Sequence, residues 1–131
     1  MMETSALLYN FEDDDRTRQI RRYLHRSGIT TRIVTTPDFL HPLGYLFEVP
    51  GFSPNPAFNL GQNFTEEMMI MKDFSEQHLD DFLSFIRSSG LKRIDLKAIL
   101  TPVNQNWNSL QLYQELTAER NAVLRQIRRK K

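Results

Sequence analysis

The residues best suited to bind a ligand lie between positions 101 and 107, where hydroxyl and amide side chains stand beside the only tryptophan. The segment reads Thr-Pro-Val-Asn-Gln-Asn-Trp and directly precedes a long amphipathic stretch. Free backbone N–H groups at a helix start attract anions, and amides and hydroxyls hydrogen-bond to polar groups. This pattern predicts an anion or polar-ligand site, with the Pro42–Tyr45 segment nearby. The predicted ligand-binding residues are Thr101, Asn104, Asn106, Trp107, Gly44 and Tyr45.

The same residues also suit a structural role. In that interpretation Pro102 ends a strand, Asn106 or Asn108 caps the next helix by accepting a backbone N–H bond, and Trp107 anchors that helix to the core. The two interpretations differ in what mutations would do. If Asn106 is only a cap, its replacement by alanine costs around 1 kcal/mol of stability. If Asn104 binds a ligand, its replacement abolishes binding and leaves stability nearly unchanged.

Residues for other chemistries do not converge in the sequence. The histidines are spread over three segments, at His25, His41 and His78, without the i,i+4 spacing of a metal-binding helix. The chain has no cysteine, nucleophile elbow or glycine-rich nucleotide loop. The acidic run at 13–15 lacks the alternating oxygen ligands of a calcium loop. We therefore predict no metal, no cofactor and no catalytic residue, and the sequence favours a protein that is not an enzyme.

Composition narrows the class of protein. The 131 residues carry a net charge of +1, and the mean hydropathy is negative. No apolar run approaches the length of about 20 residues that spans a bilayer, and the first residues do not resemble a signal peptide. The absence of cysteine suits a reducing compartment. These features predict a cytoplasmic protein that does not enter membranes, and the lack of a global positive charge disfavours nucleic-acid binding.

Hydrophobic periodicity predicts two β-α-β units. In the first, a strand at 5–9 leads into a helix that Gly28 ends, and a strand at 30–36 follows. In the second, a strand at 68–71 leads into a helix capped by Ser75 and ended by Gly90, and an alternating strand that Pro102 ends follows. The units superimpose about 62 residues apart, which indicates a weak internal repeat. Convergence on common helix-end chemistry is the alternative.

The strand faces suggest an order for the sheet. The first and third strands are apolar on both faces, as central strands are, whereas the second and fourth carry polar residues on one face. We therefore predict an α+β fold, a ferredoxin-like βαβ-βαβ two-layer sandwich with an antiparallel four-stranded sheet. A flavodoxin-like parallel sheet is the main competitor. The predicted ferredoxin-like fold also includes a long inter-repeat loop and an added C-terminal helix.

The whole chain, 1–131, is predicted to form a single domain. Its parts are a first βαβ half (1–36), a loop rich in proline and phenylalanine (37–65), a second half (66–102) and a C-terminal helix (106–131). The loop contains too many apolar residues for disorder, and we expect it to be packed, with a short helix at 41–47.

Several longer motifs carry a resemblance to a known family. They are Leu8–Phe11, Pro42–Leu46, Pro50–Phe52, Phe74–Ser75 and Leu96–Trp107, of which Thr-Pro-x-Asn-x-Asn-Trp is the most specific. Together they resemble an uncharacterised family of small bacterial domains, domain of unknown function 3783, over most of the chain up to about Glu115. The resemblance implies membership of that family and no particular activity.

The sequence thus leaves the function unknown, and a non-enzymatic interaction or regulatory module is the best interpretation. The alternative is a small-ligand-binding protein or enzyme, with its site between the 37–65 loop and the Thr101–Trp107 segment. Tyr9, Met69 and Met71 are expected on the sheet face opposite the two helices. We expect the C-terminal helix, a homodimer or protein partner, or both, to cover that face. A filled apolar core beneath the loop would favour the interaction module.

Overall fold

The computed structural model describes residues 3–61 and 63–129, and within them four strands and four helices. In chain order they are β1 (Ser5–Tyr9), α1 (Asp15–Arg26), β2 (Thr30–Val34), α2 (Leu43–Leu46), β3 (Met68–Lys72), α3 (Glu76–Ser88), β4 (Leu96–Ile99) and α4 (Ser109–Arg129). Short 3₁₀ turns occupy Thr36–Asp38 and Asn104–Asn106. The last two residues of the predicted C-terminal helix lie outside the described part. No helix in the described ranges is long and apolar enough to cross a membrane.

The two long helices of the repeat begin and end where local chemistry predicts. The carboxylate of Asp14 caps α1 by accepting a 2.8 Å hydrogen bond from the backbone N–H of Thr17, and this bond lowers the pKa of Asp14. Ser75 caps α3 as predicted, in a reciprocal capping box with His78. Gly28 and Gly90 follow the two helices at φ angles of +80° and +66°, which glycine adopts without strain.

The sheet is mixed, with the strand order β2-β1-β3-β4. The predicted central strands, β1 and β3, are confirmed, but the predicted antiparallel sheet is wrong. Each βαβ crossover returns its second strand directly beside its first, so β1 and β2 are parallel, as are β3 and β4, and only the β1–β3 pair is antiparallel. The α+β class fits this arrangement. The ferredoxin-like arrangement is not confirmed, because no strand lies between the two strands of a unit.

Helices α1 and α3 pack together on one face of the sheet. Their apolar side chains, among them Leu24 and Ile86, meet Leu8 and Met69 from the central strands. Tyr23 and Phe85, which the repeat alignment places in equivalent positions, stack on each other with ring centroids 4.2 Å apart. Equivalent positions of the two units are therefore in contact within the helix layer.

The opposite sheet face carries a second apolar core. Strand alternation places Leu7, Tyr9, Met68 and Ile70 on this face. The prediction that Met69 and Met71 would lie here is wrong, because they point from the same strand into the helix layer. The residues that cover the second face come from the inter-repeat segment and α4; they are Phe39, Leu43, Leu46, Phe47, Phe64 and Leu112. The prediction that the C-terminal helix covers this face is confirmed.

A buried hydrogen bond fixes the start of α4 on this second face. The hydroxyl oxygens of Tyr9 and Ser109 are 2.6 Å apart, and both side chains are fully buried. Burial raises the pKa of the Tyr9 phenol, so the phenol stays protonated and able to donate. The bond satisfies two polar groups that would otherwise destabilise the core.

Candidate functional site

The side chain of Asn104 closes a turn between β4 and α4. Its Oδ1 accepts a 2.7 Å hydrogen bond from the backbone N–H of Thr101, and its Nδ2 donates a 3.0 Å bond to the carbonyl of Ile99. In return, the Thr101 hydroxyl accepts the backbone N–H of Asn104 at 3.0 Å. Asn104 is buried. Its amide therefore bonds to backbone groups that the turn would otherwise leave unpaired.

The two asparagines nearest the start of α4 have different roles. Asn108 caps α4, because its Oδ1 accepts a 2.8 Å hydrogen bond from the backbone N–H of Gln111. Asn106 instead donates from Nδ2 to the carbonyls of Pro102 and Val103, at 3.1 and 3.3 Å, and is exposed. Of the two predicted caps, the structure therefore selects Asn108.

The Pro42–Tyr45 segment lies beside this turn, as predicted. The backbone N–H of Leu43 donates a 2.8 Å bond to the carbonyl of Trp107, and Pro42 pairs with Asn108 in an isolated antiparallel bridge. Trp107 and Tyr45 are half-buried and pack against the second core. The six predicted site residues are thus drawn from two segments that touch.

Gly44 has a packing role in this cluster. A Cβ atom on Gly44 would lie 2.6 Å from the ring of Phe52, which is closer than carbon atoms approach. The missing side chain lets Phe52 lie against the backbone of α2. One of the six predicted residues, Asn106, lines a shallow surface depression of about 220 Å³ together with Asn55, Asn108 and Gln111.

Replacing Asn104 by alanine is expected to lower the free energy of unfolding by about 1–3 kcal/mol, because the N–H of Thr101 and the carbonyl of Ile99 lose the partner that the buried amide provides. Asn106→Ala is the matched control. Its exposed amide should contribute no more than about 0.5 kcal/mol. Urea unfolding followed by circular dichroism measures both variants. Equal stability of Asn104→Ala and the wild type would contradict the structural role of Asn104.

An ion-pair cluster that sequence reasoning missed ties α4 to the start of β3. Arg120 donates to both carboxylate oxygens of Glu66, at 2.8 and 3.1 Å, and the Tyr113 hydroxyl donates to the same carboxylate at 2.8 Å. These hydrogen bonds lower the pKa of Glu66 to about 2, and the bond from Arg120 has the largest effect. Tyr113 and Arg120 stand seven residues apart on one helix face, but nothing in the sequence marks Glu66 as their partner.

The cluster predicts a pH dependence of stability. The folded pKa of Glu66 lies below its ordinary value of 4.5, so the stability it contributes is complete above pH 4.5 and is lost as the pH falls toward 2. Glu66→Gln should flatten this part of the curve of unfolding free energy against pH. Glu119→Gln, which removes an exposed carboxylate from α4, should leave the curve unchanged. If both variants retain the wild-type slope, the ion pair does not stabilise the fold in solution.

Each histidine takes part in local contacts rather than in a shared site. His78 belongs to the α3 capping box, and His25 bonds to the Thr31 hydroxyl at 3.2 Å. His41 accepts the backbone N–H of Asn55 at 3.0 Å. Among the residues that the structure describes, no group of three or more histidine or acidic side chains could hold a metal ion.

Comparison with known proteins finds one family-model match, over part of the chain. Searches of the curated proteins and of the solved structures found no significant match. The motifs at 8–11, 42–46 and 50–52, which also suggested the resemblance, lie outside the residues matched by the family model. Residues 67–123, from the start of β3 into α4, match the model of the family described as a domain of unknown function (DUF3783).

Proposed function

We propose that the chain is a non-enzymatic, cytoplasmic interaction module of one domain that pairs with a second copy of itself through the distal half of α4. The observation that carries the proposal is an apolar stripe on α4 with no intramolecular cover among the described residues. Support also comes from the apolar core that Phe39, Leu43 and Phe64 of the inter-repeat segment form beneath residues 37–65.

The stripe continues the helix face that packs on the body of the protein. At its start α4 contacts the second core through Leu112 and Leu116. The same face then presents Val123, Leu124 and Ile127, whose exposed fractions are 55%, 48% and 50%. Helix α4 has 21 residues and is about 31 Å long, whereas a five-residue strand spans about 17 Å. The distal half of the helix therefore passes the edge of the sheet with its apolar face exposed.

A second copy suits this stripe because acidic residues precede it along α4 and basic residues lie within it or follow it. Glu115 and Glu119 precede the stripe, as does Arg120, whose charge Glu66 balances, whereas Arg125 and Arg128 lie within or after it. In an antiparallel pair centred between Val123 and Leu124, Glu119 of one copy is level with Arg128 of the other. Parallel pairing would place like charges at the same level instead. Antiparallel pairing therefore avoids like charges at the same level and closes with two-fold symmetry. It forms no direct Glu119–Arg128 ion pair, because the nine residues between these positions place them on opposite flanks of the helix.

The contact is small for a dimer interface. Three apolar residues per copy cover much less than the 800 Å² per partner of a standard stable interface, so the pair should form at high concentration and dissociate on dilution. Its stability comes mainly from apolar burial. High salt should therefore leave association intact, whereas binding of the basic helix end to an acidic partner would weaken with salt.

Analytical ultracentrifugation tests the proposal directly. The wild-type chain should show a mass that rises with concentration from 15.5 kDa toward twice that value, and Leu124→Asp should remain monomeric at every concentration. Ala118→Asp introduces the same charge on the opposite side of α4 and should associate as the wild type does. A wild type that stays monomeric, or a control that fails equally, would overturn the pairing through this stripe.

A second candidate is binding of a small polar ligand between the 37–65 loop and the Thr101–Trp107 segment. The amide-lined depression that contains Asn106 favours it. Thermal-shift screening of metabolites should then find a compound that stabilises the wild type and does not stabilise Asn106→Ala. If the same compounds stabilise both proteins, the depression is not a binding site.

A further inference from the structure

The cover of the second sheet face ends before it reaches the start of β1, and the sheet there forms the floor of an open cavity of about 770 Å³. The strand register explains its chemistry. Ser5 pairs with Thr30 on one side and with Lys72 on the other, and Arg32 lies two positions further along β2, so these four side chains share the exposed part of the face. The apolar wall comes from Phe47 and Val49 of the inter-repeat segment.

Lys72 is a cation buried in the floor of this cavity. It is 5% exposed and ends a strand whose other four residues are methionine and isoleucine. Its Nζ donates a 2.9 Å hydrogen bond to the carbonyl of Glu3 and lies 3.2 Å from the carboxylate of Asp73. An ammonium group carries three donors, so one remains beyond these two contacts when the partners are counted among the described residues. Buried lysines are rare, because removing their charge from water is costly.

Arg32 supplies a second cation at the same cavity. One Nη donates a 3.1 Å bond to the carbonyl of Leu46, and the other lies 3.6 Å from the carboxylate of Asp38. These contacts hold the guanidinium in place and use only part of its five donors. The cavity therefore joins two oriented cations and two hydroxyls to an apolar wall.

We propose that this cavity binds a small monocarboxylate with an apolar body. The carboxylate would lie over Ser5 and Thr30, between Lys72 and Arg32, and the apolar body would contact Phe47 and Val49. A single negative charge fits because Asp73 and Asp38 already balance part of the positive charge, and Glu3 and Glu48 line the rim. A phosphate with two charges would meet this acidic rim less favourably. The site is independent of the pairing through α4.

Benzoate is the probe, and benzamide is its neutral counterpart of the same shape. In a titration followed by ¹H–¹⁵N NMR, benzoate should shift the backbone amides of Leu7, Thr31 and Arg32, and benzamide should bind at least about tenfold more weakly. Inorganic phosphate should leave these amides unshifted. Equal binding of benzoate and benzamide, preferential binding of phosphate, or no shift with benzoate would overturn the proposal.

Two variants test the cations separately. Lys72→Met keeps the length and apolar character of the buried side chain and should weaken benzoate binding about tenfold. Arg32→Gln, on a half-exposed side chain, should cause a similar loss and provides the test if Lys72→Met fails to fold. Arg22→Met, on the exposed surface of α1, is the matched control and should bind as the wild type does. Unchanged binding in both cavity variants that fold, or in Arg32→Gln alone if Lys72→Met does not, would overturn the assignment of the site.

Discussion

Replacing Phe39 by alanine is expected to lower the free energy of unfolding by about 3–5 kcal/mol. Phe39 lies in the inter-repeat segment just after a 3₁₀ turn, yet its side chain is fully buried. Its ring lies 5.0 Å from the ring of Phe64 and 5.5 Å from that of Tyr9, measured between centroids. The substitution removes an aromatic side chain from the middle of the second core and leaves a cavity that the surrounding residues only partly fill.

Phe58→Ala is the matched control for this prediction. Phe58 belongs to the same segment and has the same side chain, but it is 87% exposed. Its replacement should change the free energy of unfolding by no more than about 0.5 kcal/mol. Guanidinium unfolding measures both variants. If Phe39→Ala is as stable as Phe58→Ala, the inter-repeat segment does not form the cover of the second sheet face in solution.

The strands and helices could be predicted from the sequence because the residues that begin and end them act locally. Strand β1 begins and ends where its apolar run predicts, at Ser5 and Tyr9. The ends of α1 and α3 follow from a cap and a glycine that act within one turn. The central positions of β1 and β3 also follow from burial on both faces, which each strand shows in its own composition.

The pairing directions and the two cores depend on contacts between distant residues. Periodicity makes β1 and β2 strands but does not state whether a third strand separates them. It also alternates Met68 with Met69 along β3, and both are apolar, so composition alone does not decide which of them points toward the helices. The inter-repeat segment lacks helical or strand periodicity over most of its length, so packing was predictable from its phenylalanines and the face it covers was not.

The sequence predicted which segments of the candidate site lie together, but it did not predict what each residue does there. The turn before α4 and the Pro42–Tyr45 segment are in contact, as predicted. The hydrogen bonds of Asn104, however, depend on the path of the four residues between Ile99 and Asn104. The buried Lys72 had a sequence signal, since it ends an apolar strand. Its neighbour Arg32 comes from another strand, so the pair appears only in the folded chain.

The second large effect is expected at Gly44, a predicted ligand-binding residue to which the structure gives a packing role. Gly44→Ala should lower the free energy of unfolding by about 1–3 kcal/mol, because the new Cβ would lie 2.6–2.8 Å from three ring carbons of Phe52. One of them is Cγ, which is attached to the rigid base of the side chain, so Phe52 cannot avoid the contact by a small ring rotation. Alanine is intrinsically favoured over glycine within a helix by up to about 1 kcal/mol, and this gain offsets only part of the clash.

Gly61→Ala provides the control, because the same substitution is made in the same inter-repeat segment where space is available. The nearest atom to a Cβ there is the Asn59 Oδ1 at 3.8 Å, and the backbone does not adopt a positive φ. Alanine should therefore be neutral or stabilise the protein by about 0.4–1 kcal/mol, since it restricts the unfolded chain. A thermal melt should place Gly44→Ala below the wild type and Gly61→Ala at or above it. If the double variant Gly44→Ala/Phe52→Ala is more stable than Phe52→Ala, the loss in Gly44→Ala comes from the Phe52 contact; if it is less stable by the full single-variant loss, Gly44 is required for another reason.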